Sequence, residues 1–175
     1  KQIRGCYVPA ECASLLIRYQ MELAKQLPKH QGRILKNVEK TLQYFNQPNS
    51  KYLNCLLTGN LRSGAQQKLQ HYGLDHYFDF NHSAFGELSE DRSELARIAW
   101  HRLYLQNPEI QPEDVIIIGD TPNDARCANA IGVPCIIIMD GSSYKREDFQ
   151  NCMVNMFIDQ LPDDPAEFEK MLEDL

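Results

Sequence analysis

Apolar positions recur along the chain in two periods. In residues 9–27 (PAECASLLIRYQMELAKQL), Leu15, Leu16, Tyr19, Leu23 and Leu27 fall at helical spacing and Pro9 suits a first turn, so the stretch predicts a helix. Pro28 to Gly32 breaks it. A second helix is expected over about 33–46, with Ile34, Val38, Leu42 and Phe45 on one face, and NQPNS (46–50) predicts a turn. YLNCLL (52–57) reads as a buried strand ending in TGN; a helix follows from about 61 to 72 and stops at Gly73. YFDF (77–80) predicts a short strand. Ser89 suits the N-cap of a helix over about 90–105 that turns Leu95, Ile98, Ala99 and Leu103 inward. VIII (115–118) predicts a strand, Pro122 to Ile131 a helix closed by Gly132, and PCIIIM (134–139) a further strand. MFI (156–158) predicts a short strand and Pro165 to Leu172 a final helix.

Strands that alternate with helices at regular intervals predict an α/β, doubly wound, Rossmann-like parallel sheet. The runs at 52–57 and 115–118 are almost wholly apolar, so both sheet faces are expected to be covered. No internal repeat, low-complexity segment or linker interrupts the pattern.

Composition narrows the function classes. With 175 residues, 43% apolar and 24% charged, the chain has the balance of one ordinary globular domain. A net charge of −6 lacks the basic face of a nucleic-acid binder, yet leaves room for a small phosphorylated substrate, which responds to local charge. None of the six cysteines forms a C-x-x-C pair, and Cys55 and Cys135 sit inside apolar runs as small buried hydrophobes. Free thiols in a reducing cytoplasm are the expectation. No apolar stretch approaches the roughly 18 residues needed to span a membrane, and the expectation is a protein without a signal peptide. The oligomeric state leaves no mark on the sequence.

In open parallel sheets ligands bind beyond the carboxyl ends of the strands. Three polar groups fall there: Thr58-Gly59-Asn60 after the 52–57 run, Gly119-Asp120 with Asp124 after the 115–118 run, and Arg92 in the first turn of a helix. Asp120 reads either as a helix N-cap or as a ligand for a divalent cation, with Asp124 four residues on. Thr58 reads either as a turn residue or, with the Gly59 and Asn60 N–H groups, as an anion cradle at a helix N-terminus. Arg92 is either an ordinary surface arginine or the counter-charge that such a site needs. His71, His76 and His82 lack ligand spacing and read as surface or half-buried histidines; Lys145-Arg146-Glu147-Asp148 reads as a solvated helix face.

LLTGN at 56–60, FGELSEDRSELARIA at 85–99 and IIIGDTPNDARCANAIG at 116–132 resemble motifs two, three and four of the haloacid dehalogenase superfamily, most closely its phosphoglycolate-phosphatase-like branch. The resemblance covers about residues 32–172. It implies a Mg²⁺-dependent phosphatase that hydrolyses a small phosphomonoester through an aspartyl phosphate. Asp120 would be a Mg²⁺ ligand, and Asp124 a second ligand or a group that orients the metal's waters. Thr58, Gly59 and Asn60 would bind phosphoryl oxygens, and Arg92, standing where the family usually has Lys, would act with Thr58 as a catalytic group. Residues 1–28 would be the C-terminal part of a small helical cap over a core domain of residues 29–175.

Motif one, D-x-D-x-T/V, which supplies the family's nucleophile and general acid, occurs nowhere in the chain. Its strand would lie between those ending at Leu57 and Ile118. The expectation is therefore a chain incomplete at its N-terminal end, inactive by itself. A non-catalytic binding protein on the same fold is the alternative, and a dehalogenase a further one.

Overall fold

The computed structural model describes residues 10–30 and 32–175. The Pro9 helix start and Cys6 lie outside the described residues. Nine regular elements follow the predicted order: α1 (Ala10–Gln26), α2 (Val38–Phe45), α3 (Arg62–His71), α4 (Arg92–Gln106), β1 (Ile117–Gly119), α5 (Pro122–Ile131), β2 (Cys135–Ile138), β3 (Met156–Ile158) and α6 (Pro165–Glu173). The strands form a parallel sheet in the order β1-β2-β3, with Ile117 opposite Cys135 and Ile136 opposite Met156. This is the α/β, Rossmann-like architecture that the alternation predicts.

Strand β2 is covered on both faces. Cys135 and Ile137 point into a cluster with Ala125, Ala128, Val133 and Phe149 beneath α5. Ile136 points the other way, into Phe45 of α2, Phe168 of α6 and Leu161 of the loop before α6. Cys135, Ile136 and Ile137 are all fully buried, as period-2 geometry between two helical layers requires. Helix α4 packs Leu95 and Ala96 inward, both fully buried, with Ile98, Ala99 and Leu103 half-buried beside them. No described helix is long and apolar enough to cross a membrane.

Several sequence expectations are corrected. The second helix begins at Val38, not 33: Asn37 adopts φ 65°, and its amide donates to the Leu161 carbonyl and the Asp163 carboxylate, each at 2.9 Å. That left-handed residue sits in a turn closed by Val38 N–H on the Leu35 carbonyl at 3.3 Å, so Ile34 shares no helix face with Val38. The 52–57 run is extended but among the described residues makes only one parallel bridge, Leu57 with Ala84; the Ser83 hydroxyl, accepting from Leu56 N–H at 2.9 Å, stands in for a main-chain partner. Leu53 is 58% exposed and Cys55 is exposed too, so this run alternates where full burial was expected. YFDF is no strand, because the Asp79 carboxylate accepts from the N–H groups of Asn81 and His82 and folds the chain into a turn. Helix α4 is capped by Asp91, whose carboxylate accepts from Ser93 and Glu94 N–H, while Ser89 caps only the turn before it.

The edge of β1 away from β2 has no partner among the described residues, and the 52–57 run is not bonded to it. Ile118 is accordingly 44% exposed, against the expectation of two covered faces.

Candidate functional site

Three chain segments converge at the carboxyl end of β1, and each is shaped by local sequence. Helix α5 starts from Thr121-Pro122, with proline in its first turn, where the missing N–H costs nothing. Its first turn bends Asp124 back over the strand end. The Asp124 Oδ2 atom accepts from Asp120 N–H at 3.2 Å, Thr121 N–H at 3.0 Å and the Thr121 hydroxyl at 2.8 Å. Glycine at 119 is what admits this fold-back, since a Cβ there would collide with the Asp124 Cβ and carboxyl carbon.

Arg92, at the first position of α4, links the segments. Its Nη2 donates to Asp124 Oδ1 at 3.2 Å and reaches the Leu57 carbonyl at 3.5 Å. A Cβ on Gly59 would stand 3.2 Å from Arg92 Nη1, so glycine there lets the guanidinium lie along the loop. Arg92 Nε is buried and has no hydrogen-bond partner among the described residues. Backward from the helix, the Arg92 carbonyl accepts from the Cys127 thiol of α5 at 3.2 Å. Arg92 is therefore built into the molecule, unlike an ordinary surface arginine.

The Thr58 loop is organised around its hydroxyl. Thr58 Oγ1 accepts from Asn60 N–H at 3.1 Å and Asn60 Nδ2 at 2.9 Å, while Lys68 Nζ donates to Asn60 Oδ1 at 2.8 Å. Gly86 N–H holds the Asn60 carbonyl at 2.9 Å, and a Cβ on Gly86 would overlap the Gly59 carbonyl. The Asn60 N–H is thus engaged by Thr58, leaving the hydroxyl proton and the Gly59 N–H as the loop's donors. The first turn of α3 is partly satisfied already, because Arg62 N–H donates to Glu87 at 2.6 Å.

The two aspartates differ in circumstance. Asp124 has both oxygens engaged, whereas no hydrogen bond from another residue reaches the Asp120 carboxylate among the described residues. Burial, and then the adjacent Asp124 charge, raise the Asp120 carboxyl above the ordinary carboxylate range. A carboxylate oxygen so placed suits a hard cation, which would relieve both effects; Asp124 fits behind it as the group that fixes the turn. Among the described residues no three His, Cys, Asp or Glu side chains gather into a complete ligand set. A cavity of about 290 Å³ opens beside Asp120, bounded by Leu35, Lys36, Ile118, Ile138 and Asp140.

All six residues singled out in the sequence, Thr58, Gly59, Asn60, Arg92, Asp120 and Asp124, lie in these converging segments. Lys68 and Gly86 went unnoticed, and Gly119 was placed at the strand end without its steric role. Lys68 lies eight residues beyond Asn60, on the following helix, and only the extra glycines next to each loop hinted at close backbone approach. The three histidines stay apart from the site: His82 Nδ1 pairs with Asp79 at 2.9 Å, and the His76 and His71 rings lie against Tyr77 and Tyr72.

Comparison with known proteins agrees with the fold. A predicted phosphatase from Clostridium acetobutylicum superposes with a TM-score of 0.62 at 22% identity, over 82% of this chain and 61% of that one. A predicted phosphoglycolate phosphatase from Haemophilus somnus superposes with a TM-score of 0.64 at 18% identity, over 94% and 68% of the two chains. CbbY from Rhodobacter sphaeroides, solved in complex with phosphate, gives a TM-score of 0.64 at 14% identity, over 91% and 68%. The chain thus spans about two thirds of the length of these structures. No curated protein matches it. The model of one family, haloacid dehalogenase-like hydrolase, matches residues 5–138, and to that family the chain belongs.

Proposed function

We propose that this chain carries the cation- and phosphate-binding part of a Mg²⁺-dependent phosphatase of the phosphoglycolate-phosphatase-like branch, acting on a small phosphomonoester in the cytoplasm through an aspartyl phosphate. The observation that carries the reading is the convergence of Asp120, Thr58 and Arg92 from three segments, with Arg92 bonded to both the Leu57 carbonyl and Asp124. Asp120 would hold the cation, and Asp124 would fix the turn that aims Asp120. Bound there, Mg²⁺ would supply Lewis-acid polarisation and neutralise phosphoryl charge. The Thr58 hydroxyl and Gly59 N–H would donate to phosphoryl oxygens, with Asn60 setting the loop. Arg92 would add the positive charge and the planar donor set that orient a phosphoryl group. These are positioning and charge-neutralising roles, where most of the catalysis of phosphoryl transfer lies.

The nucleophile and general acid belong to a D-x-D-x-T/V pattern that these 175 residues do not contain. The reading assigns both to a further strand along the free edge of β1, next to Asp120. It also assigns residues 1–28 to a cap; α1 carries Leu15, Ile17 and Met21 exposed and sets the Tyr19 hydroxyl over Gly64 of α3. A binding protein on the same fold, holding a phosphate ester without hydrolysing it, is the second reading, favoured by the same missing pattern.

The test is a Mg²⁺ titration of thermal stability. Wild type is expected to gain stability with Mg²⁺ and Asp120→Asn to gain none. An unchanged melting temperature for wild type up to millimolar Mg²⁺ would overturn the cation site. Hydrolysis of a phosphomonoester panel by the chain joined to a D-x-D strand separates the enzyme from the binding protein.

A further inference from the structure

Lys68 is eight residues beyond the Thr58 loop and does not touch the groups that would meet a phosphate. Its ammonium is partly buried and lies 2.8 Å from Asn60 Oδ1. An ammonium has only donors. Whatever else is near, it fixes which end of the Asn60 amide faces it: the oxygen must, and the NH₂ group must then face Thr58. Thr58 Oγ1 accordingly receives two hydrogen bonds, from Asn60 Nδ2 at 2.9 Å and from Asn60 N–H at 3.1 Å. With both acceptor sites occupied, the hydroxyl can act there only as a donor, and its proton is left to point away from Asn60.

We propose that Lys68 is a positioning residue that, through the Asn60 amide, sets the polarity of the Thr58 hydroxyl so that its proton is presented to a bound phosphate. This rests on the phosphate-binding reading of the Thr58 loop. Without Lys68 the amide is free to turn over. Asn60 Oδ1 would then accept the Thr58 proton, and a donor aimed at the anion would become a lone pair aimed at it. The arrangement explains why a cation is placed behind the loop, where its contact with the ligand is indirect.

The experiment is calorimetric titration of the full chain with inorganic phosphate at two ionic strengths, for wild type, Lys68→Met, Lys68→Arg, Thr58→Val and the Lys68→Met/Thr58→Val double variant. Lys68→Met is expected to weaken phosphate about tenfold, the size of one hydrogen bond gained or lost, and Lys68→Arg to restore most of it. Thr58→Val removes the proton that Lys68 orients, so in that background Lys68→Met should change affinity less than about twofold. Melting curves of each variant confirm that the fold is kept; a variant that unfolds is replaced by Lys68→Gln, for which partial loss is expected. If Lys68→Met weakens phosphate equally in both backgrounds, and more at low salt, Lys68 acts as a simple charge and the proposal fails. If Lys68→Met binds phosphate as wild type does, it also fails, while the anion site stands. If wild type itself binds no phosphate, the anion site and the role of Lys68 fall together.

Discussion

Gly119→Ala tests whether the fold-back of Asp124 is what shapes the strand end. The backbone at 119 is ordinary extended strand, so alanine is not resisted by φ; the obstacle is steric. Its Cβ would occupy space held by the Asp124 Cβ and carboxyl carbon. Side chains in van der Waals contact stand about 3.5–4.0 Å apart, so Asp124 must withdraw by about an ångström. That displacement breaks the hydrogen bonds from Asp120 N–H, Thr121 N–H and the Thr121 hydroxyl. At about 1 kcal/mol net for each, the loss is about 3 kcal/mol. Stiffening the unfolded chain returns about 0.4–1 kcal/mol. A net destabilisation of about 2–3 kcal/mol is expected, or roughly 5–10 °C in melting temperature for a domain of this size.

The assay is urea unfolding followed by the fluorescence of Trp100, with calorimetry alongside. The midpoint should fall with the slope unchanged. Gly132→Ala is the control: it has φ 72° and no atom within 4 Å of a built Cβ, so it should lose only the 1–2 kcal/mol of a left-handed alanine. Asp124→Gly removes the obstacle, and in that background Gly119→Ala should be close to neutral. A Gly119→Ala protein within about 0.5 kcal/mol of wild type would refute the steric argument.

Two further outcomes follow from the structure. The Asp79 carboxyl is held below its ordinary range, chiefly by the His82 side chain and then by main-chain N–H groups, so the native state binds fewer protons than the unfolded chain. Its stabilisation is present above the unfolded value near 3.9 and lost as pH falls through the native one; Asp79→Asn should flatten the loss of stability below about pH 4, and an unaltered acid limb in urea titrations would disprove the linkage. Ile136 is fully buried between α2 and α6, so Ile136→Ala should cost about 2–5 kcal/mol in equilibrium unfolding, and a cost under about 1 kcal/mol would show that the sheet face can collapse around the gap.

What the sequence made legible was periodic or punctuated. Helix α5 was bounded correctly because Pro122 and Gly132 each have a backbone reason to stand at its ends, and Gly73 likewise closes α3 at φ 69°. The errors came where a side chain overruled the period. Asn37 delays α2 by bonding to a loop more than a hundred residues away, and Asp79 turns an aromatic-rich tetrapeptide that its composition marks as strand. Asp91 displaced Ser89 as the cap because both satisfy the same local rule and nothing local ranks them. The six candidate residues were legible by their places at segment ends, but the hydrogen bonds among them were not. Whether Asp124 keeps a free oxygen depends on Arg92, thirty-two residues earlier, and no spacing rule conveys that.

Charge accounting links these side chains to the ligands proposed for them. Asp120 and Asp124 contribute two negative charges, and Arg92 and Lys68 two positive ones, so the ligand-free site is balanced. A phosphate dianion entering alone unbalances it by two charges, and so does Mg²⁺ alone; together they enter as a neutral pair. On the proposed reading each should therefore bind more tightly when the other is present, and thermodynamic linkage requires the two enhancements to be equal. A coupling of about 1–3 kcal/mol, or five- to 150-fold, is the usual range. The measurement is the phosphate Kd with and without saturating Mg²⁺, and the Mg²⁺ Kd with and without saturating phosphate. Asp120→Asn should abolish the coupling, since the cation then has no ligand, whereas Lys68→Met should leave most of it intact while weakening phosphate. Equal phosphate affinity with and without Mg²⁺ would show that the two ligands do not share the crevice between Thr58 and Asp120, and the site assignment would have to be divided.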